Sequence, residues 1–106
     1  MVKKILLLFI ILSSSISFSQ EKTIEELIAS PNPFSTSTTI SFNSNSNQNI
    51  FISVKNILGK IVFYKKIEAT EGLNTFPFNR DELKSGMYIY AIQTNNEFIS
   101  KRFVIK

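Results

Sequence analysis

Cysteine, histidine and tryptophan are all missing from the 106 residues. Without cysteine there are no disulfides and no thiol redox chemistry. Without cysteine and histidine, zinc centres built on thiolate or imidazole are excluded, and so is any imidazole-based catalytic triad. Aspartate occurs only at Asp81, so a calcium loop, which needs several oxygen ligands at close spacing, would have little beyond Asp81 and Glu82. The three glycines, Gly59, Gly72 and Gly86, lie far apart and build no phosphate cradle. Glu25 and Glu26 precede the main body of the chain, and Glu68 and Glu71 flank a turn. They read as solvated charge and not as the opposed pair of a glycosidase. These absences point to a protein that is not an enzyme, with no cofactor and no metal.

What is present begins with a leader. Lys3 and Lys4 precede Ile5–Leu12, an unbroken apolar run of eight, and small residues at Ser17 and Ser19 mark a cleavage point after Ser19. The run is far short of the ~20 residues that a spanning helix needs, and no later run reaches that length. Residues 1–19 are therefore expected to be a cleavable signal peptide, with Gln20 the new N-terminus and no integral membrane segment in the mature chain. No cysteine follows the apolar run, which excludes a lipoprotein. An exported domain without disulfides must rely on its core, which suits a bacterial periplasm or cell surface.

Loss of Lys3 and Lys4 lowers the formal net charge from +4 to +2. The remaining cations are scattered, without the basic stripe and stacking aromatics of a nucleic-acid surface, so no nucleic-acid partner is expected. Eight Phe and three Tyr stay in the mature part. A domain this small is marginal without staples, and each enclosed aromatic removes roughly 150–250 Å² from water.

Residues 20–30 read as a linker with a nascent helix, because Thr23 and Glu26 have capping-box spacing. Residues 31–106 read as one domain. Pro31 and Pro33 bracket Asn32 and fix an extended-then-turn opening. Thr38–Phe42 alternates as a strand, and the Asn/Ser run 43–49 reads as an unstructured polar loop. Ile50, Ile52 and Val54 form the inner face of a second strand, which turns at Gly59, where positive φ is available. Ile61–Ile67 has a blurred alternation that suggests contact on both faces. Leu73–Phe78 is confined to an edge or shortened by Pro77, whereas Met87–Gln93 has the apolar content of a central strand. Asn95-Asn96 offers positive φ values for a tight hairpin, and the closing strand runs to Lys106. Six strands are evident, with a seventh around Phe34 or Ile67, and short strands with frequent turns indicate an antiparallel β-sandwich. Leu83–Tyr88 resembles the tyrosine corner of immunoglobulin-like sandwiches, which turns Tyr88, Tyr90 and Ile92 inward. Lys101, Arg102 and Lys106 fit either a recognition signature or an edge strand whose cations discourage aggregation; the residues alone leave both open.

The order of motifs carries a resemblance. Pro31-Asn32-Pro33-Phe34 comes first, then Thr39–Phe42, then Val54-x-Asn56-Ile57-Leu58-Gly59-Lys60. Leu83-x-Ser85-Gly86-Met87-Tyr88 and Lys101-Arg102-x-Val104-x-Lys106 follow. Over 31–106 the chain resembles the type A C-terminal sorting domain of the type IX secretion system. That resemblance implies an all-β, immunoglobulin-like antiparallel sandwich of about seven strands, and a signal in place of an activity. It implies that Pro31, Asn32 and Pro33 mark the start of the domain, that Gly59, Gly86 and Tyr88 shape it, that Ser85 belongs to the sorting motif, and that Lys101, Arg102 and Lys106 lie on the strand that the machinery reads. Implied partners are the type IX translocon and a sortase-like surface peptidase, and the implied route runs through the periplasm to the cell surface or the medium.

Two departures accompany the resemblance. Ser30 stands where members often have an aromatic or β-branched residue, and about ten residues separate leader from domain where members carry a long cargo. The alternative function is a free-standing extracytoplasmic sandwich that binds other proteins through strand edges.

Overall fold

Every second residue of Gln48–Asn56 turns away from water: Ile50, Ile52 and Val54 are fully buried, while Phe51, Ser53 and Lys55 are half-buried on the other face. This period of two is the mark of a strand with one face on a core. It recurs along the chain in the computed structural model, which describes residues 22–106. The expected leader 1–19 and its cleavage point lie outside the described residues.

Seven strands form two antiparallel sheets. They are β1 (Ile24–Ser30), β2 (Ser37–Ser44), β3 (Gln48–Asn56), β4 (Ile61–Ala69), β5 (Gly72–Asn79), β6 (Gly86–Gln93) and β7 (Phe98–Ile105). One sheet has the order β1-β2-β5 and the other β4-β3-β6-β7. As expected, Pro77 sits on an edge strand and β6 is interior.

The core between the sheets is aromatic at its centre. Phe103 stacks on Tyr90 at 5.1 Å and meets Phe34 edge-on at 5.1 Å, with Phe78 at 5.5 Å and Tyr88 at 6.2 Å. Such pairs add to the area they bury. Tyr88, Tyr90 and Ile92 do point inward. The Tyr88 hydroxyl donates to the Lys84 carbonyl at 2.7 Å, so the ring packs while its polar tip ties down the bend before β6. Burial raises the Tyr90 hydroxyl above its ordinary pKa, which a hydrogen bond with the Ala29 backbone only partly offsets.

Several local expectations are corrected. The linker with a nascent helix is strand β1. Ile24, Leu27 and Ile28 imitate helical spacing, but a bulge between Glu25 and Ile28, with Glu26 at φ 58°, turns Ile24, Leu27 and Ala29 all inward and leaves Ile28 outside. Thr23 and Glu26 form no capping box. The Thr23 hydroxyl bonds to Glu97, and Glu26 accepts from Asn43 Nδ2 at 2.6 Å. The seventh strand is thus β1, and Phe34 contributes only an isolated bridge to Ile105.

The blurred β4 is not covered on both faces. It is an edge strand with Ile61 and Tyr64 largely exposed, and its register shifts opposite Val54/Lys55. The Asn/Ser run is mostly strand, since β2 continues to Ser44 and β3 begins at Gln48. Buried Ser44 donates to the Ser46 carbonyl at 2.7 Å, and Gln48 Nε2 donates to Ser44 Oγ at 3.0 Å and to Thr23 Oγ1 at 3.1 Å.

Neither Asn95 nor Asn96 adopts positive φ. The Thr94 hydroxyl shapes that turn, accepting from the N–H groups of Asn96 at 3.2 Å and Glu97 at 2.9 Å. Gly59 does take the left-handed backbone, at φ 83°, where a side chain would be strained. The Asn56 side chain closes the same turn by accepting from the N–H groups of Leu58 and Lys60, each at 3.0 Å.

Candidate functional site

Pro31–Phe34 leaves β1, crosses to the other sheet and lies along the outer edge of β7. Both X–Pro bonds here, Ser30–Pro31 and Asn32–Pro33, are cis. Proline lacks an N–H, so Asn32 supplies the polar contact with its side chain. Asn32 Oδ1 accepts from the Val104 N–H at 3.0 Å and Nδ2 donates to the Arg102 carbonyl at 3.2 Å. Phe34 N–H then donates to the Val104 carbonyl at 3.0 Å, and Lys106 N–H donates to the Phe34 carbonyl at 2.8 Å. These four bonds occupy outward-facing backbone groups between Arg102 and Lys106. The Phe34 ring anchors the crossing in the core. The Pro31 carbonyl accepts from the buried Thr38 hydroxyl at 2.7 Å.

Arg80 locks the same region from the β5–β6 corner. Its Nη1 donates to the Lys106 main-chain oxygen at 2.7 Å and the Ser35 carbonyl at 3.2 Å. Nε and Nη2 both donate to the Leu83 carbonyl, at 3.1 and 2.8 Å, and Nη2 lies 3.4 Å from Ser85 Oγ. A guanidinium presents five donors in one rigid plane, and here it joins three chain segments that are distant in sequence. Arg80 was not foreseen in the sequence. A single arginine in a polar corner carries no signal until the terminal strand folds back beside it.

The registers gather most of the motif residues at one end of the sandwich. Gly86 pairs with Ile105 and Tyr88 with Phe103, while Asn56, which opens the Gly59 turn, pairs with Tyr88. Pro31, Asn32, Pro33, Ser85 and Lys106 join them through the Asn32 and Arg80 bonds. Arg102 and Lys101 lie further along β7, opposite Ile89 and Tyr90. Lys101, Arg102 and Lys106 are all exposed.

At its other end β7 borders an open groove of about 510 Å³, lined by Ile24, Leu27, Phe98, Ile99, Glu25 and Lys101 among others. Glu97 closes this end by accepting from the Thr23 N–H at 2.7 Å, the Thr23 hydroxyl and, at 3.4 Å, the Ile24 N–H. Partial burial pushes its carboxyl up. The hydrogen bonds from Thr23 and Ile24 and the charge of Lys22 together outweigh that and hold it below the usual carboxylate range. Among the described residues no group of three or more Asp and Glu is placed to hold a metal ion, and no helix is long and apolar enough to cross a membrane. The arrangement fixes a surface and holds a strand in place.

Comparison with known proteins returns a family model described as a secretion system C-terminal sorting domain, which matches residues 29–106. A comparison with curated proteins gives no match. Among solved structures, a β-glucosidase from Listeria innocua in complex with glucose is similar at 12% identity and a TM-score of 0.47. The similarity covers 82% of this chain and 17% of that one.

Proposed function

The chain belongs to the secretion system C-terminal sorting domain family, and from that premise we propose that it carries a sorting signal for passage across the outer membrane by the type IX machinery, with no catalysis of its own. The observation that carries this reading is the family match over residues 29–106, which takes in six of the seven strands in full. The geometry supports a signal read as a folded surface and not as a loose tag, since Asn32, Phe34 and Arg80 pin the terminal strand. An immunoglobulin-like identity for the sandwich belongs to the same proposal and is supported by the Tyr88–Lys84 bond. So do a signal peptide over 1–19, transit through the periplasm, arrival at the cell surface or in the medium, and recognition by the translocon and a sortase-like peptidase.

The test is export of a reporter that carries residues 20–106 at its C-terminus behind a general signal peptide, in a bacterium with type IX secretion. The reporter is expected outside the cell, and removal of Lys101–Lys106 is expected to leave it in the periplasm. Equal export with and without that segment refutes the proposal.

A further inference from the structure

The two outer faces of the sandwich differ in chemistry. On the three-stranded sheet, the outward residues of β2 and β5 are mainly hydroxyl and amide groups, such as Thr39, Ser41, Thr75 and Asn79, and the exposed large apolar side chains are Ile28 and Leu73, with no cation between them. The four-stranded sheet presents cations among large apolar side chains. One row across it holds Lys55, Ile89 and Arg102, and two rows further on lie Lys66, Phe51 and Phe98. Tyr64 stands between those rows and stacks on Phe51 at 5.4 Å. Met87 and Val104 pair beyond the first row. Ile89, Met87 and Val104 are each more than a third exposed, and Tyr64 and Phe98 are exposed by more than half. Glu68, at the far end opposite Asn49, is the one carboxylate on this face among the described residues.

We propose that this face, centred on Lys55, Ile89 and Arg102, is the docking surface for a protein partner that offers carboxylates around an apolar centre. The proposal rests on the sorting reading and names the surface through which an outer-membrane protein of the secretion machinery holds the domain. Apolar side chains clustered on a monomer's surface mark an interaction site, and the cations set the sign of the partner by complementarity. Adjacent strands lie about 4.8 Å apart and alternate residues about 6.8 Å, so the rows span roughly 14 by 20 Å, the size of an interface core that a polar rim completes. Three cations spread over a flat sheet fall short of the roughly four to eight clustered ones that membrane-surface recognition uses. A protein surface is the better fit.

The full chain is compared with its K55E/R102E variant, with the milder K55Q/R102Q variant and with T39E/T75E on the opposite face. Each is expressed in a bacterium with type IX secretion, checked for folding by circular dichroism and scored for surface delivery. Each isolated chain is then tested for binding to outer-membrane vesicles from those cells, to the same vesicles after protease shaving, and to protein-free vesicles of phosphatidylcholine and phosphatidylglycerol. Charge reversal is expected to weaken binding to native vesicles by about tenfold or more, neutralisation by less, and T39E/T75E by under about twofold. Shaving is expected to abolish binding, and lipid alone to give none. Retained binding by folded K55E/R102E overturns the proposal, and equal binding to protein-free vesicles replaces it with a lipid surface. If the wild-type chain never reaches the surface, the sorting reading fails, and vesicle binding still decides the role of this face.

Discussion

The Asn32 side chain stands in for a strand beside Val104, accepting its N–H at 3.0 Å on the outer edge of β7. The Pro31–Phe34 crossing and β7, more than seventy residues apart in sequence, therefore form one unit. Removing the amide in Asn32→Ala frees the Val104 N–H and the Arg102 carbonyl. The bonds are exposed, so a loss of about 1 kcal/mol is expected. Amide hydrogen exchange at Val104 should quicken more than at buried Phe103, and uniform exchange across β7 would contradict the role.

Arg80 reaches Lys106, Ser35 and Leu83 at once because its donors share a rigid plane. A lysine keeps the charge but is a single point donor. Arg80→Lys is expected to cost about 1–2 kcal/mol, read as a lower urea midpoint with an unchanged slope. An unchanged midpoint would mean that water replaces the missing bonds at no cost.

The depressed Glu97 carboxyl gives stability a pH dependence with a defined sign. Its folded value lies below the ordinary 4.5, so the folded state favours the ionised form. The stabilisation is complete above pH 4.5 and is lost as pH falls through the folded value. The melting temperature of the wild type should drop below that point, and Glu97→Gln should start a few degrees lower at neutral pH and fall less steeply on acidification. Parallel curves for the two proteins would remove Glu97 from the account.

Phe103 touches four other aromatic rings in the core. Phe103→Ala is expected to cost about 3–5 kcal/mol, a large share of the roughly 5–15 kcal/mol that holds a domain together. The variant should melt well below the wild type, followed by near-ultraviolet circular dichroism. A cooperative transition near that of the wild type would show that the core closes over the gap.

The sequence discloses the fold wherever burial alternates cleanly. Ile50, Ile52 and Val54 announce β3, Tyr88, Tyr90 and Ile92 announce β6, and Pro77 marks an edge. It hides β1, because a bulge at Glu25–Ile28 converts strand periodicity into apparent helical spacing. It hides the exposure of β4, because Ile61 and Tyr64 are apolar residues on an edge. The candidate site is half legible. Asn32 and Arg102 stand in the quoted motifs, but their partnership needs the chain to return across the sandwich, and Arg80 gains meaning only from neighbours that sequence order keeps apart.

The place of β1 in the sheet decides where a protease can act without damage. A cut at Ser30–Pro31 would separate Ile24, Leu27 and Ala29 from the core they fill and strip β2 of its neighbour on that side. A cut ahead of Lys22 spares all seven strands. A cut that keeps all seven strands on one piece lies upstream of Ile24, because the Pro-Asn-Pro crossing sits inside the sandwich between β1 and β2.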